Sequence, residues 1–194
     1  MAAPFEVIAS PFDCFVAPTG TVFPALDAAP AAAFKLVGST AGARNQTDTG
    51  VTVTNAQTVG EFTPGGSTVV RKRWRQAEGL TVALAIADLS VTQYAQALDA
   101  AVTVVAPGTT QAGESHFEMF RGTQVAAYAL LVRGISPFND AFVAQYEVPS
   151  VHQMGSPAPN FSKQNPSELA LEWHAYELVV GNLCVFRAQS ATHT

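Results

Sequence analysis

The sequence predicts a mainly β fold: a sandwich or barrel-like core with one short flanking α-helix, in a single domain spanning residues 1–194. Three observations predict it. Roughly ten segments alternate apolar and polar residues, or run apolar, between Gly- and Pro-rich breaks, the mark of short strands. One complete helix-start signal stands out, at Ser90. A chain of 194 residues also suits one hydrophobic core better than two.

Taken in order, Phe5 to Val16 reads as a broken strand, Ala17 to Gly20 as a turn and Thr21 to Phe23 as a short extension. Asp27 to Ala33 is an Ala/Pro-rich loop, with a helical turn open to Ala31 to Lys35. Phe34 to Val37 is a strand ended by Gly38, and Gly38 to Asp48 is polar, flexible surface. A strand over Val51 to Glu61 leads into the turn Pro64, Gly65, Gly66, Ser67. Thr68 to Arg75 returns as a second strand and Leu80 to Ile86 follows as a third.

Ser90 with Gln93 three residues later forms a capping box, and Leu89 with Tyr94 a hydrophobic staple. Tyr94, Ala95 and Leu98 give an apolar stripe, enough for about three turns on a sheet, closing at Asp99. After Pro107 and Gly108, Glu114 to Phe120 alternates, whereas Val125 to Val132 is apolar throughout and reads as a strand buried on both faces. Gly134 to Phe138 is a turn. Ala141 to Val148 alternates until Pro149 stops it, and Met154 to Pro166 is a loop. Leu169 to Tyr176 is a strand with Leu169, Leu171 and Trp173 on one face. Val179 to Arg187 completes the β content, and the tail from Ala188 frays.

Composition narrows the function. Hydrophobic residues make up 48% and charged residues 13%, about half the charged share of an ordinary soluble domain. Either partner subunits cover much of the surface, or the chain is a β protein rich in uncharged polar residues. A net charge of −5 opposes general nucleic-acid binding, which calls for a basic face. Cys14 and Cys184 lie near opposite ends and indicate no disulfide framework. No signal peptide is read at the start and no apolar run reaches the ~20 residues of a membrane span. The expected site of synthesis and assembly is a reducing cytoplasm.

The candidate chemistry is sparse. Glu114, His116 and Glu118 sit at period two, so a strand would present all three on one face, as a metal would need or as a solvated face would show. Glu172 and His174 pose the same choice. No nucleophile elbow, phosphate-gripping loop or dinucleotide fingerprint occurs, so neither catalysis nor a cofactor is expected. Arg71, Lys72, Arg73 and Arg75 are four of the ten basic residues. In a strand, Arg71, Arg73 and Arg75 share one face, with Lys72 and Trp74 on the other. The row suits inter-subunit ion pairs, an exposed edge that discourages stray pairing, or contact with DNA.

Three blocks resemble the tail tube (major tail) proteins of siphophage-type bacteriophages. They are Phe15-Val-Ala-Pro-Thr-Gly-Thr-Val-Phe-Pro24; Gly50 to Leu98, with its Gln57 to Phe62 start, Gly-rich hairpin and Asp88-Leu-Ser helix entry; and Leu130 to Phe138, continuing through Tyr146 to Pro149 and Leu169 to Trp173. Together they span most of the chain.

The resemblance implies a virion structural protein, not an enzyme. Its sandwich would join hexameric rings stacked into a hollow tube, in which strands of six subunits close one continuous β-barrel. The implied partners are further copies of the chain, a tape-measure protein, and tail terminator and baseplate proteins. DNA would pass through the lumen without specific binding, and no membrane is involved. The implied location is the virion tail, after assembly in the host cytoplasm. Six copies of a net-negative chain would repel phosphates wherever they face the lumen, so the basic row is placed between subunits. Candidate interface residues are Pro64, Gly65, Gly66, Arg71, Arg73, Trp74 and Arg75, with Trp74 expected in the core or in an inter-subunit seam. Rival readings are another phage ring protein, such as a terminator, baseplate or capsid decoration protein, and an enzyme or binding module on a lectin-like or jelly-roll sandwich.

Overall fold

A computed structural model describes residues 12–40, 43–87, 89–135, 142–161, 163, 167–178 and 181–189. Within them lie twelve strands and one helix. The strands are β1 (Asp13–Pro18), β2 (Lys35–Leu36), β3 (Ser39–Thr40), β4 (Ala43–Arg44), β5 (Gln46–Phe62), β6 (Lys72–Ile86), β7 (Thr103–Val105), β8 (Glu114–His116), β9 (Ala127–Ile135), β10 (Val143–Gln153), β11 (Leu169–Ala175) and β12 (Val185–Ala188). The helix is α1 (Val91–Ala97). Mainly β with one short helix is the class the sequence predicts.

Eight strands form one antiparallel sheet in the order β2-β1-β9-β10-β11-β6-β5, with β12 also on β10. β10 changes partners along its length. Ala144 to Glu147 pair with β12, and Val151 to Gln153 pair with β11. The register against β9 shifts between these two stretches, at Pro149 and Ser150. Pro149 therefore does not stop the strand, as its missing N–H suggested it would. It sits in a bulge, where no ladder bond is asked of it and where the sheet bends.

That bend lets the sheet fold over its own core. Cys14 and Val16 of β1, Leu130 and Val132 of β9, and Val148 and Val151 of β10 share one cluster with Leu80, Val82, Leu84 and Ile86 of β6. Leu169, Leu171 and Trp173 of β11 complete it, on the single face their alternation predicts. β9 is buried on both faces, again as predicted. Leu131 turns away from the main core into a second cluster with Ala17 and Phe34. The strap from Phe23 to Pro30 closes over that side, pinned by Arg133, whose guanidinium donates to the carbonyls of Ala25 (2.9 Å), Leu26 and Ala28 (2.6 Å). Cys14 and Cys184 meet the same core and are both free thiols.

Several local expectations are corrected. The helix has seven residues, not three turns, and buries Gln93, Ala95 and Ala97. Ser90 caps it, accepting from Gln93 N–H at 3.4 Å. The Gln93 side chain reaches outward to the β2–β3 turn, accepting from Gly38 N–H at 3.2 Å and donating to Ser39 O at 3.4 Å. The described residues of Gly38 to Asp48 are not loose surface, since they hold β3, β4 and the start of β5 with Gln46 buried. β8 ends at His116, well short of Phe120. Phe5 to Pro11, the turn after Ile135 and the tail after Gln189 lie outside the described residues.

Candidate subunit interface

β5 and β6 form a hairpin much longer than the core it grows from. Leu80, paired with Asn55, is the last buried apolar residue of β6 on the way to the tip. Beyond that pair, Ala56 to Phe62 and Lys72 to Ala77 are exposed apart from Gly60. Seven residues at ~3.4 Å each carry the hairpin about 24 Å past the core. The separate strands expected before and after Gln76 to Gly79 are one continuous strand. A single extra residue, Gln76, is taken up between the pairs Thr58–Ala77 and Val59–Arg75, which is a β-bulge.

The tip is wider than a four-residue turn. Ser67 N–H donates to Pro64 O at 3.1 Å, and Gly66 takes a φ of +78°, a left-handed conformation that suits glycine. Thr68 to Val70 stays irregular, and Arg71 N–H closes the loop on Phe62 O at 2.9 Å. The strand expected from Thr68 thus begins at Lys72, and Arg71 lies just before it.

The two faces of the hairpin differ. On the face continuous with the core, Arg73 Nε lies 2.7 Å from Glu61 Oε1, its partner directly across the ladder. Arg75 donates to Gln57 Oε1 at 3.1 Å and pairs with Glu78. Two of the three arginines read as an inter-subunit row therefore already have carboxylates within their own chain. No described residue pairs with Arg71 or Lys72.

On the opposite face Trp74 lies across Gly60. Trp74 is 49% exposed, which rules out the core and leaves, of the two places expected for it, the inter-subunit seam. Phe62, paired with Lys72, shares the Trp74 face; Val59, on the arginine face, and Val69, in the tip loop, are further large apolar side chains left open on the hairpin. Among the described residues β5 is also the end of the sheet path, so its outer backbone groups form a long edge that none of them pairs. Pairing along such an edge, or covering it, is the usual way a stable protein manages it.

The metal-ligand candidates do not converge. Glu114 and His116 contact each other at 3.3 Å on exposed β8, while Glu118 lies beyond the strand's end. His174 bonds Glu172 at 2.8 Å on the outer face of β11. The described residues hold no cluster of three or more such ligands.

Sequence reasoning found the hairpin and its basic row but missed the Gly60–Trp74 pairing and the bulge. An isolated Gly inside an alternating strand was the available signal for a close approach.

The fold and this surface define an antiparallel β-sandwich domain with one long projecting hairpin. No protein-family model matches the chain, and no curated protein matches it in sequence.

Proposed function

We propose that the chain is a structural subunit that polymerises, as stacked rings, into a hollow tube of the siphophage tail type, and that it is not an enzyme. One observation carries this reading: the β5–β6 hairpin leaves the core with Val59, Phe62 and Trp74 exposed and an open sheet edge beside them. Apart from Gly60 beneath Trp74, such a projection buries nothing in a lone chain. Apolar side chains on a sheet edge favour a neighbouring strand, and a ring of copies removes the edge for every member at once.

The low charge content and net charge of −5 support the reading. A tube wall of these copies is mostly uncharged, and its acidic balance does not hold passing phosphates. Partners at the tube's ends and inside it belong to the same proposal: terminator and baseplate proteins, and a tape-measure protein. Purified protein should shift from monomer to large assemblies with rising concentration. Removing the hairpin's apolar residues as a set (Val59→Thr, Phe62→Thr, Trp74→Thr) should leave a folded monomer. Undiminished assembly by that variant would remove the observation on which the proposal stands.

A further inference from the structure

The β7–β8 arm has no part in the fold's core. The two strands pair only with each other, and of their six residues all but Val105 are exposed. The arm is nonetheless held at its base. Phe117 packs edge-to-face on Tyr94 of α1, with ring centroids 5.4 Å apart. Arg121 donates from both terminal nitrogens to Gly155 O, at 3.3 and 3.4 Å. Between these anchors Met119 and Phe120 stand exposed, Phe120 at 78%. From residue 100 to 120 the chain carries Glu114 and Glu118 and neither Lys nor Arg.

The hairpin tip is its opposite in charge. Glu61 and Glu78 answer Arg73 and Arg75 within the hairpin, which leaves the positive charges of Arg71 and Lys72 unanswered among the described residues. Exposed Phe62 and Val69 flank them. Among the described residues no hydrogen bond or ion pair joins hairpin to arm within the chain.

We infer that the β5–β6 hairpin tip of one copy docks on the β7–β8 arm of the next, with Arg71 and Lys72 facing Glu114 and Glu118. Phe62 and Val69 meet Met119 and Phe120 in the same contact. The signs are opposite, two carboxylates against two cations, with His116 beside Glu114 and Arg121 held to Gly155 O at the arm's base, and each side offers two exposed apolar residues beside them. A second copy is the occupant because every copy carries both halves. The two halves are different patches, so the contact is head-to-tail, and repeating it closes a ring or continues as a helix. The inference rests on the self-assembly reading and adds which surfaces meet.

The test is a charge swap in the full chain, read by sedimentation velocity across protein concentration. Arg71→Glu with Lys72→Glu, and separately Glu114→Lys with Glu118→Lys, should each raise the concentration needed for assembly at least tenfold. Mixing the two variants in equal amounts should restore it, because the reversed tip of one meets the reversed arm of the other, and native tip meets native arm, in an alternating assembly. Combining all four substitutions in one chain should bring it back to within a few-fold of the native value. All four positions are exposed, so circular dichroism should show native folding. Should a reversal unfold the chain, the Gln versions replace it and must weaken assembly in the same order, with a flatter salt dependence. Native protein that assembles while the reversed variants assemble equally well overturns this pairing alone, and would point to DNA or solvent as what Arg71 and Lys72 face. Failure of the four-fold variant to recover also overturns it. Native protein that stays monomeric throughout overturns the self-assembly reading together with it.

Discussion

Trp74 takes the space that a side chain at Gly60 would fill. The two residues face each other across the β5–β6 ladder, and a Cβ built on Gly60 would lie 2.7 Å from Cε2 of the indole and 2.8 Å from Cζ2. The contact explains why Gly60 is buried on an otherwise exposed hairpin. Gly weakens a strand because it packs nothing, and an aromatic laid over it restores cross-strand contact.

Gly60→Val should therefore push the indole off its strand and shift Trp74 fluorescence to the red. Trp173, 2% exposed, provides an unchanged buried reference. Trp74→Ala should lower stability by about 1 kcal/mol or less, the scale of a cross-strand pair. Trp173→Ala should cost about 3–5 kcal/mol, the scale of a buried aromatic. Urea midpoints measure both, and equal losses would mean that Trp74 is a core residue after all.

Arg73 and Glu61 give a second, smaller expectation. Their side chains are 67% and 47% exposed, so the pair contributes about 0.2–1 kcal/mol. Arg73→Glu places two carboxylates opposite each other and should loosen the hairpin within one chain. Adding Glu61→Arg reverses the pair and should restore the hairpin. A double-mutant cycle on stability reads the coupling, and a value of zero at low salt would show that the pair does not form in solution.

Gly38 is fixed by both conformation and space. Its φ is +72°, and an added Cβ would lie 2.6 Å from Ile86 Cγ2. Ile86 belongs to the core and cannot easily yield. Gly38→Ala should cost about 2–4 kcal/mol, combining left-handed strain with overpacking. Gly20 has a φ of +86° with nothing within 4 Å, so Gly20→Ala should cost only the strain, about 1–2 kcal/mol. Chemical denaturation of the two variants separates the contributions.

Alkaline pH should destabilise the fold. The Tyr128 phenol is pushed up from 10.0 to about 12, first by burial and then by Asp99, whose Oδ1 accepts its hydroxyl at 3.1 Å. Burial also pushes the Cys184 thiol from 9.0 to about 11 and raises that of Cys14 further. Above pH 9 to 10 the unfolded chain releases these protons while the folded chain keeps them. The unfolded state then binds fewer protons, so stability falls as pH rises. It should be fully present below about pH 9 and decline toward pH 12. Tyr128→Phe should be less stable than native at pH 8 by about 1 kcal/mol, the worth of a hydrogen bond. That gap should narrow by pH 11 in thermal melts. A gap independent of pH would show that Tyr128 ionises alike in both states.

The legible parts of the fold were those written in local periodicity. Leu169, Leu171 and Trp173 alternate, and Leu130 to Val132 run unbroken, so their burial followed from spacing alone. Trp74 was harder because alternation assigns a face but not where the core ends. Here the core stops at Leu80, a boundary set by strands distant in sequence. Glu61 and Arg73 are neighbours only through a pairing register across a nine-residue loop, and the bulge at Gln76 hides that register from counting. Gln93 was read as the second half of a cap, but its amide is drawn to Gly38 and Ser39, more than fifty residues away in sequence.

The most direct measurement is negative-stain electron microscopy of the concentrated protein, with sedimentation velocity on the same samples. The account predicts rings or hollow tubes with a visible lumen, growing in number with concentration and lost when Val59, Phe62 and Trp74 are replaced together. A single monomeric species at every concentration, with no rings or tubes, would contradict it.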